Sequence, residues 1–117
     1  MSHINNAAGG GSPTPGTIVL NYTYVDAAMS PYTVLPTDDF IGADSSTGEI
    51  FILLPNAPQV GRTYIVKDIA NDAQANNIFV STVSGLDLID GSITTTMNTN
   101  LESLQFLYAG GSRYYIY

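Results

Sequence analysis

Hydrophobic and polar residues alternate along most of this chain from residue 17 onward. In "TIVLNYTY" (residues 17–24) the apolar side chains recur at every second position, which predicts a strand with one buried face. The residues predicted to face the core there are Ile18, Leu20, Tyr22 and Tyr24. Seven further segments share this β-branched or aromatic character: "PYTVL", "EIFILL", "TYIVKDI", "NIFVST", "SITTTM", "LQFLY" and "RYYIY".

Turn-forming sequences rich in Gly, Pro, Asn and Asp separate these segments, at a spacing typical of sandwiches and barrels. Only "ANDAQAN" (residues 70–76) could hold a helical turn, and it is too short to form a helix alone. The pattern therefore predicts an all-β protein. The expected architecture is an antiparallel, jelly-roll-like β-sandwich of about nine short strands.

One segment departs from strict alternation because both of its faces are apolar. In "EIFILLP", Phe51 and Leu53 point away from Ile50, Ile52 and Leu54. A strand of a two-layer sandwich meets the core with one face only, so the second face needs a cover. Either a long loop or a neighbouring subunit could provide that cover.

The final segment, "RYYIY", has the same two-sided character. Tyr114 and Ile116 lie on one face, while Tyr115 and Tyr117 lie on the other. We interpret one face as core and the other as a subunit interface, and the alternative is an aromatic platform for a glycan. The predicted interface residues are Phe51, Leu53, Tyr115 and Tyr117.

The first 16 residues, "MSHINNAAGGGSPTPG", differ in composition from the rest of the chain. Small residues, glycines and prolines dominate, and they provide too little apolar surface to bury. We predict a flexible Gly/Pro leader or linker over residues 1–16 and one β domain over residues 17–117. The leader could also be a remnant of an expression vector.

Charged residues are scarce in this chain. Hydrophobic residues make up 44% of the 117 residues and charged residues 11%, against about 25% in ordinary domains. A surface with so little charge is easy to bury against another subunit. The net charge of −7 repels polyanions, so nucleic acid and anionic membranes are not expected partners. No segment approaches the ~20 apolar residues of a membrane-spanning helix.

The residues needed for common enzyme and metal sites are missing from the predicted β domain. The chain has no cysteine, and its only histidine is His3 in the leader. The carboxylates of "DDFIGAD", Asp38, Asp39 and Asp44, match no calcium loop. Asp38 and Asp39 are adjacent, and the side chains of adjacent residues point in different directions in an extended chain. This disfavours their use as the paired acid and base of a glycosidase. We interpret Asp38 as the cap of a turn after Pro36, and we expect no enzyme activity, metal or cofactor.

Lys67 is one of only three basic residues, with Arg62 and Arg113. It shares a strand face with Ile65 and Ile69, which predicts an inward or interface position and therefore a carboxylate partner. Asp90 in the "IDG" turn is the predicted partner, and the alternatives are Asp38 and Asp39.

The other basic residues raise the alternative that positive charge captures a ligand such as sialic acid. The candidate ligand-binding residues are Arg62, Tyr114 and Arg113. For Arg62 and Lys67 we favour a structural role in fixing the turn and strand of "GRTYIVKD".

Eleven short motifs follow one another in order between residues 30 and 117. They are Tyr32, Val34, Asp38, Leu54-Pro55, Ala57, Gly61-Arg62, Tyr64, Val66-Lys67-Asp68, Asn77-Ile78, Ile89-Asp90-Gly91 and the aromatic strand from Arg113 to Tyr117. This order resembles the small C-terminal head domain of viral fibres. Such heads occur in phage tail fibres and in the often collagen-like fibres of large DNA viruses and their virophages.

The resemblance implies a β-sandwich head that forms a homotrimer at the tip of a fibre in the virion. It implies trimerisation or attachment to a host cell-surface glycan or protein. Such heads often carry a Trp in the last strand, where this chain has Tyr114 and Tyr115, and the leader lacks a shaft repeat. The alternatives are a purely structural trimerisation module and a carbohydrate-binding module.

Overall fold

The computed structural model of the chain describes residues 17–117, which form ten strands and one short 3₁₀ turn. The strands are β1 (Tyr22–Asp26), β2 (Tyr32–Thr33), β3 (Phe40–Asp44), β4 (Ile50–Leu54), β5 (Thr63–Asp68), β6 (Ile78–Thr82), β7 (Leu88–Ile89), β8 (Thr95–Met97), β9 (Ser103–Gly110) and β10 (Arg113–Ile116). The 3₁₀ turn spans Ala27–Met29. The all-β class is confirmed, and each of the eight predicted segments contains a strand. The sequence pattern missed β3 and β7.

The strands form two sheets, and the chain passes between them at almost every step. The six-stranded sheet has the order β1-β3-β5-β9-β10-β7, and the four-stranded sheet has the order β2-β4-β6-β8. From β1 to β8, every odd strand joins the first sheet and every even strand joins the second. The chain therefore winds as a short two-layer coil, which the β9–β10 hairpin ends.

This winding makes the sheets mixed, so the predicted antiparallel arrangement is wrong, and the jelly-roll-like order stays a prediction. Five of the eight strand pairings are parallel, and three are antiparallel. Four of the parallel pairs join strands that are separated by one circuit of the coil: β1–β3, β3–β5, β2–β4 and β4–β6. The circuit from β6 to β8 instead ends in an antiparallel pair, and β9 reverses the chain direction beside β5 and β10.

One hydrophobic core lies between the two sheets and is shared by both. Ile52 and Val80 enter it from the four-stranded sheet, and Val66, Phe106 and Tyr114 enter it from the six-stranded sheet. All five side chains are fully buried. The β-sandwich-like packing is therefore confirmed, with alternate residues of each strand directed outward.

In the first of the described residues, the strand face that points inward is the opposite of the predicted one. Ile18, Leu20, Tyr22 and Tyr24 are all exposed, and Val25 is buried instead. A period of two identifies alternating faces but does not say which face is inside. Here the hydroxyl of Thr23 donates a hydrogen bond to the buried carboxylate of Asp38, which requires the Thr23–Val25 face to point inward.

Tyr114 is a core residue whose hydroxyl has a buried partner, and this generates a first prediction. Its hydroxyl donates to the carbonyl oxygen of Pro55, and its ring meets that of Tyr108 edge to face at 5.1 Å. Tyr114→Phe leaves this carbonyl unpaired and should lower the free energy of unfolding by about 1–2 kcal/mol. Tyr115→Phe, at an exposed neighbour, should change it by less than about 0.5 kcal/mol. Chemical denaturation compares the two, and equal losses would contradict the assignment.

Candidate functional site

Arg62 fixes the loop that leads into β3. Its guanidinium lies 3.1 Å from the carboxylate of Asp39 and 4.3 Å above the ring centroid of Tyr64. It also donates hydrogen bonds to three backbone carbonyl oxygens, those of Pro36, Asp38 and Thr63. These contacts engage both terminal nitrogens of the guanidinium within the chain, which agrees with the structural role that the sequence favoured. The ligand-binding role of Arg62 stays a prediction.

Asp38 is buried beside Arg62 and ties β1, β2 and the following turn together. Its carboxylate accepts hydrogen bonds from the hydroxyls of Thr23 and Tyr32, each at 2.6 Å, and from the amide of Leu35 at 2.9 Å. Burial raises the pKa of Asp38, but these three bonds and the Arg62 charge outweigh it and lower the pKa below its ordinary value. The predicted turn-capping role is confirmed, and the carboxylate also links two sheets.

Asp68, at the end of β5, is a fully buried carboxylate held by backbone amides. Its side chain accepts four hydrogen bonds of 2.9–3.0 Å, from the amides of Ala70, Asp72, Ala73 and Leu101. Burial raises the pKa of Asp68, and the four N–H groups together reverse that effect and lower it. The carboxylate therefore joins the loop after β5 to the loop before β9. The sequence analysis did not identify this role.

Lys67 does not pair with Asp90, which corrects the predicted ion pair. The Lys67 ammonium donates to the carbonyl oxygen of Leu101 at 2.6 Å, and the Asp90 carboxylate accepts from the amide of Ile116 at 3.1 Å. Lys67 is half-buried on the outward face of β5. Because β9 and β10 lie between β5 and β7, the two residues are roughly 14 Å apart in the sheet.

Leu101 is the residue on which Lys67 and Asp68 converge. Its backbone has a φ of +65°, a left-handed conformation that is unfavourable for a bulky side chain. The Asp68 carboxylate holds its N–H, and the Lys67 ammonium holds its carbonyl. Adjacent strand residues point to opposite faces, so Asp68 and Lys67 hold the two peptide groups that flank Leu101 from opposite sides. The "KD" pair therefore fixes the turn that precedes β9.

The outer face of the four-stranded sheet forms one candidate interaction surface, which we call the phenylalanine face. Its members come from β2, β4, β6 and β8 and carry no charge: Thr33, Phe51, Leu53, Phe79, Ser81 and Thr96. The rings of Phe51 and Phe79 stack with centroids 4.8 Å apart. Phe51 is 46% exposed, so no loop within residues 17–117 fully covers the outer face of the strand that was predicted to need a cover.

Large exposed apolar residues extend the phenylalanine face at its borders. Leu35 follows Val34, whose amide bonds to Leu53, and Val83 bonds through its amide to Leu54. Ile93 accepts a hydrogen bond from the Ser81 hydroxyl through its carbonyl. The three bordering side chains are exposed: Leu35, Val83 and Ile93. The uncharged surface is therefore larger than the sheet face alone.

The outer face of the six-stranded sheet forms a second candidate surface, which we call the tyrosine face. Its apolar and aromatic members are Tyr22, Tyr24, Phe40, Ile65, Leu107, Tyr115 and Tyr117. Unlike the phenylalanine face it carries charges, from Asp26, Asp44 and Lys67. The structure thus separates the predicted interface residues: Phe51 and Leu53 lie on one side of the sandwich, and Tyr115 and Tyr117 lie on the other.

The predicted ligand-binding residues have three different environments. Tyr114 is fully buried in the core, and Arg62 is bonded to the loop before β3. Arg113 is exposed at the start of β10. The burial of Tyr114 keeps its ring from an external ligand, and the anionic-sugar role of Arg62 and Arg113 stays a prediction.

At the β1 edge of the tyrosine face, Tyr22 and Tyr24 have distinct environments. The hydroxyl of Tyr24 donates to the carboxylate of Asp44 at 2.6 Å, and this hydrogen bond raises the pKa of Tyr24 to about 12. The hydrogen bonds from Ser46 and Tyr24 lower the pKa of Asp44. Tyr22 lies over Gly42, its neighbour on β3, and tilts against Phe40 with centroids 5.8 Å apart.

Within residues 17–117, no group of three or more His, Asp or Glu side chains is placed to hold a metal ion. None of the helical turns in that part of the chain is long and apolar enough to cross a membrane. No protein-family model matches the chain, and no curated protein matches it either. Interpretation of the two outer faces therefore depends on their own chemistry.

The Asp68 arrangement generates a second prediction, on pH. Because the pKa of Asp68 is lowered in the folded chain, the unfolded chain takes up the proton first as pH falls. The stability that Asp68 provides should be complete above the ordinary aspartate range, about pH 4, and lost on acidification through the lowered pKa. Asp68→Asn should lower the free energy of unfolding at pH 7 by about 2–4 kcal/mol and make the acid loss shallower.

Denaturation at a series of pH values measures both effects. Glu49→Gln is the matched control, because this exposed carboxylate sits on the surface before β4 and should leave the acid profile nearly unchanged. An Asp68→Asn variant whose acid profile equals that of the wild type would disprove the role of the four N–H donors.

A third prediction tests the corrected Lys67 assignment. Lys67→Met removes one bond to the Leu101 carbonyl and should lower the free energy of unfolding by about 0.5–1.5 kcal/mol. Asp90→Asn removes the charge of Asp90 and keeps a residue type that tolerates the positive φ of this position. The double variant should lose the sum of the single losses within about 0.5 kcal/mol, as urea denaturation of all four proteins can show. A coupling energy above about 1 kcal/mol between the two substitutions would show that Lys67 and Asp90 interact, as the sequence predicted.

Proposed function

We propose that this domain is the trimeric distal head of a viral fibre, which joins three chains at the fibre tip in the virion and attaches to a host-surface glycan or protein. The observation that carries the proposal is the phenylalanine face, an exposed sheet face with stacked rings and no charge. An apolar face of this kind is stabilised when a partner covers it. The order of fibre-head motifs along residues 30–117 supports the same function.

A second copy of the chain is the partner that the phenylalanine face fits best. The face offers no charge for a charged partner to pair with, and burying it requires little polar desolvation. A domain of about 100 residues without disulfide or metal is also only marginally stable alone. Contacts between copies would add the burial that a single chain lacks.

Closure into a ring determines which outer face turns towards the three-fold axis. If each copy used both outer faces, one for each neighbour, the copies would tend to form an open stack. A trimer instead needs contacts that close into a ring. We therefore assign only one of the two outer faces to the axis. The phenylalanine face is the better choice because the tyrosine face carries the carboxylates of Asp26 and Asp44. Three copies of that face around the axis would bring together the stacked Phe51 and Phe79 rings.

This arrangement gives a fourth prediction, measured by light scattering on the full chain at micromolar concentration. The wild type should have three times the 12.4 kDa chain mass. Phe51→Asp places a charge on the proposed contact and should give a folded monomer, because the side chain points away from the core. Tyr115→Asp introduces the same charge on the opposite face and should remain trimeric.

Removing residues 1–16 should leave the trimer intact, since this segment has no apolar stripe with which to associate. Circular dichroism establishes that each variant is folded. A folded wild-type monomer would contradict the fibre-head proposal, and dissociation by Tyr115→Asp alone would move the contact to the tyrosine face.

A further inference from the structure

The side chain of Tyr22 lies over Gly42 on the outer face of the six-stranded sheet. A Cβ atom built on Gly42 would lie 2.8 Å from Cε1 and 2.9 Å from Cζ of Tyr22, so the hydroxyl end of the ring occupies the space that a side chain at position 42 would fill. The parallel register places Tyr22 opposite Phe40 and Tyr24 opposite Gly42. Tyr22 is 57% exposed, so much of its side chain is open to solvent.

Polar groups border the exposed ring on one side. The Asp44 carboxylate is fixed by the Tyr24 hydroxyl at 2.6 Å and by the amide of Ser46 at 3.0 Å. The Ser46 side chain also bonds to this carboxylate. A carboxylate has about four acceptor positions, so these bonds leave some acceptor capacity on Asp44. Asp26 is the neighbour of Asp44 across the β1–β3 pair and adds a second carboxylate. The surface thus combines a flat apolar ring with fixed hydrogen-bond acceptors.

This combination matches the chemistry of an uncharged sugar ring. A pyranose presents C–H groups on one face, which pack on an aromatic ring, and hydroxyls at its edge, which donate to carboxylates. The net charge of −7 and the two carboxylates would repel sialic acid or a sulfated sugar. Charge therefore selects neutral sugars over anionic ones.

The same carboxylates make this edge a poor contact between copies of the chain. A buried carboxylate needs a cation or a set of donors, and the chain has only three basic residues. Of these, Arg62 and Lys67 already bond within their own chain. In the proposed trimer the Tyr22 edge therefore stays open to a ligand, once on each of three copies.

We propose that Tyr22, Tyr24 and Asp44 bind an uncharged pyranose of a host-surface glycan, with the sugar ring stacked on Tyr22 and its hydroxyls donating to Asp44. This inference rests on the proposed attachment role and names its ligand class and site. Three such sites on one trimer would raise the affinity for a glycan-covered surface through multivalency. A single site should bind a monosaccharide only in the millimolar range.

The test uses the ¹⁵N-labelled full chain and four neutral probes, the methyl glycosides of glucose, galactose, mannose and N-acetylglucosamine, with N-acetylneuraminic acid as the anionic probe. At least one neutral probe at millimolar concentration should shift the amide signals of Gly42 and its strand neighbours. The anionic probe should leave these signals unchanged. No shift with any neutral probe, or an equal shift with the anionic one, would overturn the proposal.

Variants locate the binding on the tyrosine face. Tyr22→Ala should weaken binding about tenfold or more, and Tyr22→Phe should retain most of it because the ring is kept. Asp44→Asn should weaken it several-fold. Tyr117→Ala is the matched control, an exposed tyrosine on the same outer face that lies beside β9. Unchanged binding in Tyr22→Ala, or loss in Tyr117→Ala alone, would show that Tyr22 is not the site.

Light scattering on the same samples separates this inference from the trimer proposal. A trimer that binds none of the neutral probes overturns the sugar site and supports a purely structural head. A monomer that binds a neutral probe through Tyr22 overturns the trimer and retains the sugar site.

Discussion

The fold depends on burying carboxylates in a chain that has almost no cations to offer them. Asp38 and Asp68 are both inside the molecule, and neither has a lysine or arginine on its side-chain oxygens. Asp38 is stabilised by two hydroxyls from β1 and β2 and by a turn amide, and Asp68 by four amides from the loops around it. These bonds restrict the conformations of the loops. Each carboxylate therefore determines the path of the segments around it, and the loops in turn determine where the strands begin.

The same scarcity of charge explains how the two outer faces differ. With Arg62 and Lys67 committed to backbone carbonyls, the molecule has few cations with which to pair its surface carboxylates. Acids gather at the β1–β3 edge of the tyrosine face, while the phenylalanine face carries none. A face without charge suits burial between identical chains, and a face with fixed acceptors suits a hydroxyl-rich ligand. In the proposed function, the distribution of charge would assign subunit association to one face and ligand binding to the other.

Strand segments were predictable from the sequence, but their arrangement was not. The two-sided apolar run of β4 is typical of a central parallel strand, and β4 does pair in parallel with β2 and β6. The run was interpreted only as a strand that needs a cover, so the parallel winding was missed. Strand β3 escaped because Gly42 and its flanking acids are typical of a turn. Asp90 was assigned to Lys67 without knowing that two strands separate them.

The candidate sugar site could be inferred only once the order of the strands in the sheet was known. Tyr22 and Gly42 are twenty positions apart, and neither residue alone indicates a ligand. Their contact exists because β1 and β3 pair in parallel at one particular register. A shift of that register by one residue would turn Tyr22 into the core and abolish the contact. That register is fixed by Thr23, whose hydroxyl reaches the buried Asp38. A buried carboxylate on one side of the sheet thereby determines which aromatic ring is presented on the other.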